Sequence, residues 1–550
     1  IMLEQNSTPF NVKKIAGMSL LFIFCNAKAA IAAEPVTFYS ECDYQGDTIS
    51  FDLGEDYRKG DILDNVGNNT ISSVKVADGY QVTLSDGFDH TGRTIVLTTD
   101  DSCLDDNIVD NKSMDERISS FQVRYNAAYE SPFNTLLGLD TQVINQRLID
   151  DWAIITDAFL DRHSDAEGVS YARWLQPTTP DVDEPPMSDY KFTLAQMGHA
   201  MNVSVHLDKK DDFDALFREA KRTMYQSDTL SPNFGLYSAT VFVNNPGDAG
   251  VVGISSTYGV GGAQHFSNPL VLAGNRWGND GEIDYHQAVR DILEQLNSTA
   301  NGQRSSMFID TKYGSRMPMN LKFGHRQNTM SSPPYYHAEH YPLWASLYQD
   351  GDSQRNLWCE RADDSRDTLT NTFAHPTTGF VPNKALFDGT PEPDWPNEKD
   401  DSAFETDPQR LPMTTSIDAI FYQNTWGRDL NNKILTHFYD DVNDGISGIK
   451  RTVYSHDGET LVLSGGAKSN DKWSLSAMLA VATLNTDLPD TAASELPQNK
   501  LFVQDLWDVD VTSQTNPSSY HSVVYMVGLV TVAGLYTHYL PASEVQQLCL

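Results

Sequence analysis

The apolar residues of this chain change period once, near residue 135, and that change limits the fold more than any other feature. Between residues 35 and 125, apolar and polar side chains alternate with period two in runs such as "VTFYSE", "SSVKVADGYQVTLSD", "RTIVLTT" and "SSFQVRY", separated by Gly, Asp and Asn. Period-two alternation turns one face of a segment to a core and the other to water, which is the pattern of strands. From about Leu136 the period is helical. In "DDFDALFREAKRTM", Phe213, Leu216, Phe217, Ala220 and Met224 share one face, and Asp211 or Asp212 supplies an N-cap. The run "GEIDYHQAVRDILEQL" repeats the pattern with Ile283, Ala288, Ile292, Leu293 and Leu296. A chain of 550 residues exceeds what one core usually serves. The expectation is an all-β module over 34–126, a linker over 127–134 and a large all-α module over 135–550.

The β module is internally duplicated: "FYSECDYQGDTISF" matches "LSDGFDHTGRTIVL", and "NNTISSVKV" matches "DERISSFQV". A repeated four-strand unit suits a small Greek-key sandwich. Helical hairpins sustained over about 400 residues suit a closed toroid better than a four-helix bundle, because several apolar faces must cover one another.

Charge bears on partners. Asp and Glu number 75 against 39 Lys and Arg, a net charge of -36 spread along the chain. A field of that sign repels phosphate, which argues against nucleic acid and anionic membrane. Lys13 and Lys14 precede "IAGMSLLFIF" and the small-residue stretch "NAKAAIAAEP", which together read as an export signal over residues 1–33 and imply secretion. That apolar run is too short to anchor the chain, and no membrane span of ~20 apolar residues follows. Four cysteines, 42, 103, 359 and 549, would remain after cleavage. An even number suits disulfides in an oxidising compartment, and pairing 42 with 103 and 359 with 549 respects the module boundary; spacing alone does not fix connectivity.

The paired "NNTISS" (68–73) and "DERISS" (115–120) resemble the signatures of βγ-crystallin domains. The resemblance implies a double Ca2+ clamp built from the Ser72 and Ser119 hydroxyls and the carbonyls of Thr70 and Arg117, oxygen donors that suit a hard cation. Glu116 stands where Asn or Asp is usual.

Three stretches of the helical module, "HFSNPLVLAGNRWGNDGEIDYHQAVRDIL" (265–293), "SSPPYYHAEHYPLWASL" (331–347) and "AHPTTGFVPNKALFDGTP" (374–391), resemble glycoside hydrolase family 8, on the branch of xylanases and reducing-end xylose-releasing enzymes. The resemblance implies an (α/α)6 barrel with a cleft across one end. It also implies inverting hydrolysis by a protonated carboxyl and a water-holding carboxylate ~6.5–9.5 Å apart. Aligned through "LDKKDDFD", the stretch "LAQMGHAMNVSVHLDKKDDFD" puts Ala195 at the acid. A rival register puts the acid at Glu167 in "AEGVSYARW", but it demands an insertion of about thirty residues inside one helix, across prolines that break helices. The segment "VGGAQHF" puts Gly261 at the third acidic position. The base motif D-A-x-R is matched by "DAIF", with Asp418 at the base and Phe421 at its arginine. His199 and His265 fall where the resemblance has Tyr, and these, with Tyr335 and Tyr336, are candidates to line the cleft.

Three readings follow. The first is a secreted, calcium-binding protein with a catalytically degenerate barrel that binds a polysaccharide, an oligosaccharide or a host cell-surface partner. The second is an active inverting β-1,4-glycanase using Glu167 and Asp418. The third is a toxin-like protein using both folds as recognition scaffolds.

Overall fold

The computed structural model describes residues 34–51, 56–58, 69–77, 79–178, 188–247, 250–255, 258–321, 326–392, 403–441, 453–459, 471–490, 498–513, 518–545 and 547–549. The expected export signal lies outside them.

Among the described residues, two antiparallel sheets and a short hairpin, Ile108–Val109 with Lys112–Ser113, form the β part. In one, Val36–Glu41 lies between Gln45–Phe51 and Ser73–Val76; in the other the order is Asp56–Tyr57, Ser120–Tyr125, Tyr80–Ser85, Thr94–Leu97. Alternation delivers Val36, Phe38, Val74, Val82, Leu84, Phe121 and Val123 to the space between the sheets. There Phe38 meets Phe121 edge-on at 4.8 Å, and Phe121 also packs against Phe51 and Tyr57. The two duplicated turns mirror each other. Asn69 and Glu116 both take left-handed backbone (φ 60° and 50°), the Asn69 N–H donates to the Ile118 carbonyl, and the Glu116 N–H donates to the Ile71 carbonyl.

The helices, in chain order, are α1 (Pro132–Thr135), α2 (Thr141–Phe159), α3 (Leu194–His206), α4 (Lys210–Thr223), α5 (Val260–Trp277), α6 (Tyr285–Asn297), α7 (His340–Ala345), α8 (Ser353–Thr368), α9 (Leu411–Tyr422), α10 (Arg428–Asp441), α11 (Asp471–Ala482), α12 (Asn499–Trp507), α13 (Ser519–Val532) and α14 (Ala542–Val545). Two kinds alternate. Helices α3 and α13 are buried all round, as a helix ringed by others must be, whereas α6 buries one stripe only. The inner helices pack α3 on α5, α5 on α7, α9 on α11, α11 on α13 and α13 back on α3. The Tyr422 hydroxyl joins α9 to the start of α7 by donating to the Glu339 carbonyl (3.3 Å). Outside them, α4 covers α3, α6 covers α5, α8 covers α7, α10 covers α9, α12 covers α11 and α2 covers α13.

Residues Ala32–Leu550 form one compact unit, so the β part is built onto the barrel rather than tethered to it. Tyr80 donates to Asp208 (2.6 Å), Tyr125 donates to the Leu207 carbonyl (2.8 Å), and Arg276 lies over the Tyr80 ring. The expected linker is itself docked, with the Tyr129 and Ser131 hydroxyls donating to the Thr531 and Val532 carbonyls at the end of α13. Disulfides join Cys42 to Cys103 and Cys359 to Cys549, the connectivity that respects the module boundary.

Candidate active site

The N-terminal ends of four inner elements gather at one end of the barrel. Thr193 caps α3 through a reciprocal pair: its hydroxyl accepts from the Gln196 N–H, and its own N–H donates to Gln196 Oε1. The Gln196 amide then donates to Ser519 Oγ (2.9 Å), tying the start of α3 to the start of α13. Gly262, in the first turn of α5, lies beside Ala195: a Cβ added there would be 3.5 Å from the Ala195 nitrogen. The fourth element is the 3-10 turn Pro408–Arg410 that leads into α9, preceded by Asp407.

Asp407 is the carboxylate at this mouth. Its Oδ1 accepts from Arg410 Nη1 (2.6 Å) and from the Tyr520 hydroxyl (2.7 Å), and the Tyr335 hydroxyl lies 3.4 Å from its Oδ2. Its side chain remains 26% exposed, so it meets water while being held from three sides. Burial, then the negative charge of Asp407, pushes the Tyr335 phenol up, which keeps it a hydrogen-bond donor. The pattern sought at 418–421, an aspartate three residues before an arginine, thus occurs at 407–410 as "DPQR" with its ion pair formed.

Asp418 is corrected accordingly. It lies eleven residues further along, about 16 Å at the helical rise, and is 0% exposed. Arg366 grips both its oxygens (2.9 and 2.7 Å) and Trp426 Nε1 donates to Oδ2 (2.6 Å), so no water or sugar reaches it. Phe421 is no vacant arginine position, since it stacks on His538 at 4.1 Å. Glu167 is corrected as well. It is exposed in the turn of the hairpin Leu160–Ser164/Ser170–Trp174, whose Trp174 end adjoins α3. At about 3.3 Å per residue the strand carries its tip roughly 13 Å from Trp174, and the structure does not bring Glu167 together with either aspartate.

Ala195 does stand in the first turn of α3, partly exposed at the mouth. Gly261 has a steric reason: a Cβ there would lie 2.6 Å from the Tyr335 ring, so the tyrosine occupies the space that a carboxylate at 261 would need. Tyr336, by contrast, is buried and bonded to the Met317 N–H and Ser331, away from the mouth. His199 and His265 do not face a sugar either; both are buried one layer below. Their rings meet at 4.2 Å because Gly198 lets α3 approach α5 closely, a Cβ there falling 2.3 Å from the His265 carbonyl oxygen. Burial, with the Arg410 cation among the lesser causes, holds both imidazoles well below their usual range, so they are neutral. Arg410 Nη2 donates to His265 Nε2 (3.2 Å), which fixes that ring's tautomer.

No family model matches the chain. The chain is 24% identical over 358 residues to the reducing end xylose-releasing exo-oligoxylanase of Halalkalibacterium halodurans, covering 64% of this chain and 81% of the relative. To the corresponding enzyme of Paenibacillus barcinonensis it is 26% identical over 349 residues, covering 62% and 81%. A crystal structure of a GH8 xylanase catalytic mutant with xylohexaose, from Teredinibacter turnerae, superposes with a TM-score of 0.59 at 22% identity, covering 75% of this chain and 98% of that one. The helical part therefore shares the (α/α)6 barrel fold of its GH8 neighbours, and about two-thirds of the chain is similar in sequence to xylose-releasing exo-oligoxylanases. These relatives are active enzymes, and that overturns the reading of a secreted calcium-binding protein whose barrel is catalytically degenerate. The geometry also bears on one of its premises, because an exposed aspartate paired with an arginine three residues on is present at 407 and 410. Their names concern xylo-oligosaccharides and lend no support to a host partner. Among the described residues no helix is long and apolar enough to cross a membrane.

Proposed function

We propose that this chain is an inverting glycoside hydrolase that releases xylose from β-1,4-linked xylo-oligosaccharides, with Asp407 as the general base. One observation carries the reading: a water-accessible carboxylate fixed by Arg410, Tyr520 and Tyr335 where four inner elements begin. Arg410 and Tyr520 hold one oxygen of Asp407 and Tyr335 approaches the other, so the carboxylate is oriented from three sides. The carboxylate then holds a water against the anomeric carbon and accepts its proton as the glycosidic bond breaks. Residue 195 offers only a methyl group, so the leaving oxygen takes its proton from solvent. The expected rate lies about 10²- to 10⁴-fold below that of an enzyme with a positioned acid. The test is chromatographic detection of xylose from xylotriose and xylotetraose. Release by the wild type and loss in Asp407→Asn is the expected result; wild-type release no greater than that of Asp407→Asn overturns the proposal.

The mirrored turns of the β part support a second reading, Ca2+ binding at the Ser72 and Ser119 hydroxyls and the Thr70 and Arg117 carbonyls. Beside them, Asp115 Oδ1 is buried and makes no hydrogen bond among the described residues, an oxygen of the kind calcium takes. Calorimetric titration with Ca2+ should give binding that Ser72→Ala and Ser119→Ala weaken, and absence of heat would sink it. Export to an oxidising compartment is supported by the two disulfides and tested by locating the mature N-terminus.

A further inference from the structure

Below the mouth, the barrel axis holds a cluster that the hydrolytic reading does not use. His337, Glu339 and His340 lie at the start of α7, all buried, with one donor atom from each within 4.8 Å of the others. His337 Nδ1 is 3.1 Å and His340 Nε2 is 3.4 Å from Glu339 Oε1. In a tetrahedral site with metal–ligand bonds of about 2.0–2.2 Å, neighbouring donor atoms stand about 3.3–3.5 Å apart, so these separations are close to the edges of such a site. The cluster borders a cavity of about 40 Å³, also lined by His199, His265 and Arg410, which is room for an ion or a water.

A second observation concerns the same residues and their neighbour His199. Glu339 Oε2, His337 Nε2, His340 Nδ1 and His199 Nε2 are buried and make no hydrogen bond among the described residues. Buried polar atoms are normally satisfied, and unpartnered ones on four residues lining one cavity imply a guest there. Glu339 is the one carboxylate among the residues lining the cavity, with Met413, Met478, Val524 and Val527 as apolar wall. The nearest cation, Arg410, is already neutralised by Asp407.

We propose that His337, Glu339 and His340 bind a divalent transition-metal ion of the zinc type inside the barrel, beneath the hydrolytic mouth. Two imidazole nitrogens and one carboxylate oxygen are a borderline-soft set that suits Zn2+ or Co2+; Ca2+ and Mg2+ prefer oxygen alone. A water in the adjoining cavity would complete the coordination. The ion would fix the start of α7 against α5 and α9, and so the floor on which Arg410 and Asp407 rest. This site is independent of the proposed hydrolysis, and no bond-breaking step passes through it.

The experiment uses the full chain, stripped with chelator, dialysed against Zn2+ and passed through a desalting column. Elemental analysis should find about one zinc per chain, and Co2+ in its place should give visible d–d bands of tetrahedral strength. Glu339→Gln and His340→Phe should each lower retained metal at least tenfold, while His375→Gln, outside the cluster, should leave it unchanged. Circular dichroism identifies any variant that fails to fold, and in that event the wild-type measurements decide alone. A wild-type chain that retains no zinc and shows no Co2+ bands overturns the proposal and leaves water as the guest. Metal retained undiminished in folded Glu339→Gln and His340→Phe overturns it equally.

Discussion

Asp407 and Asp418 stand on one continuous run of chain, each held by an arginine, and they differ in whether water can reach them. At the mouth, Arg410 binds one oxygen of Asp407 and leaves the other to Tyr335 and solvent. In the interior, Arg366 and Trp426 take up both oxygens of Asp418. The same pair of groups is thus open to water in one place, where we propose a base, and a brace in the other. An isolated carboxylate–arginine motif does not reveal which; the packing of the neighbouring helix decides it.

The largest effect should come from breaking the mouth. Asp407→Asn keeps the size of the side chain and removes the base, so xylose release should fall about 10²- to 10⁴-fold with the unfolding midpoint little changed. The interior should respond the other way. Asp418→Asn leaves the Arg366 guanidinium, 12% exposed, with a neutral amide in place of its buried partner and only the exposed Asp363 as counter-charge. Breaking a buried pair costs about 3–5 kcal/mol, read as a lowered urea midpoint. If Asp418→Asn instead abolished turnover at unchanged stability, the assignment of the two roles would be reversed. Restoring a carboxyl at the acid's place sharpens the same contrast. Ala195→Glu, in the partly exposed first turn of α3, should raise turnover by about 10²-fold without stabilising the barrel. No gain would mean that the first turn of α3 does not face the leaving oxygen.

Much of this was legible before any coordinates. Period two ends with the strand Ser120–Tyr125 and the helical period is taken up by α2, and "LDKKDDFD" fixes α3, with Ala195 in its first turn. The disulfides follow the boundary. The exposed aspartate–arginine pair at 407 and 410 was passed over for a physical reason. Asp407 precedes a short 3-10 turn at the end of a polar, proline-rich stretch that carries no periodicity, whereas "DAIF" sits inside a clean helical pattern. The spacing D-x-x-R at 407–410 was the signal that could have found it. Gly261 and Tyr335 are a pair that only packing reveals: the sequence displays a missing carboxylate but not the ring that took its space. The His337, Glu339 and His340 cluster was hidden similarly, since its three residues read as ordinary polar positions until α7 turns them toward the axis.

The dryness of the interior has a consequence for acid stability that the mouth does not share. His538 lies in the barrel wall, its ring stacked on Phe421, and burial pushes it down to about 3. His206 is held well below its usual range, by burial first and then by the Arg276 cation. In the unfolded chain both would titrate near 6.5. As pH falls below that value the unfolded state takes up protons that the folded state refuses, so stability present at neutral pH is lost progressively toward pH 3. Each such histidine contributes a slope of up to about 1.4 kcal/mol per pH unit. His538→Phe keeps the stack on Phe421, gives up a weak contact with the Tyr422 hydroxyl (3.4 Å), and removes one titrating site. Urea unfolding of wild type and variant between pH 6.5 and 4.5 should give a shallower pH dependence in the variant, by close to one proton. Parallel curves would mean that the folded barrel admits a proton at His538, and the interior would then be wetter than its packing implies.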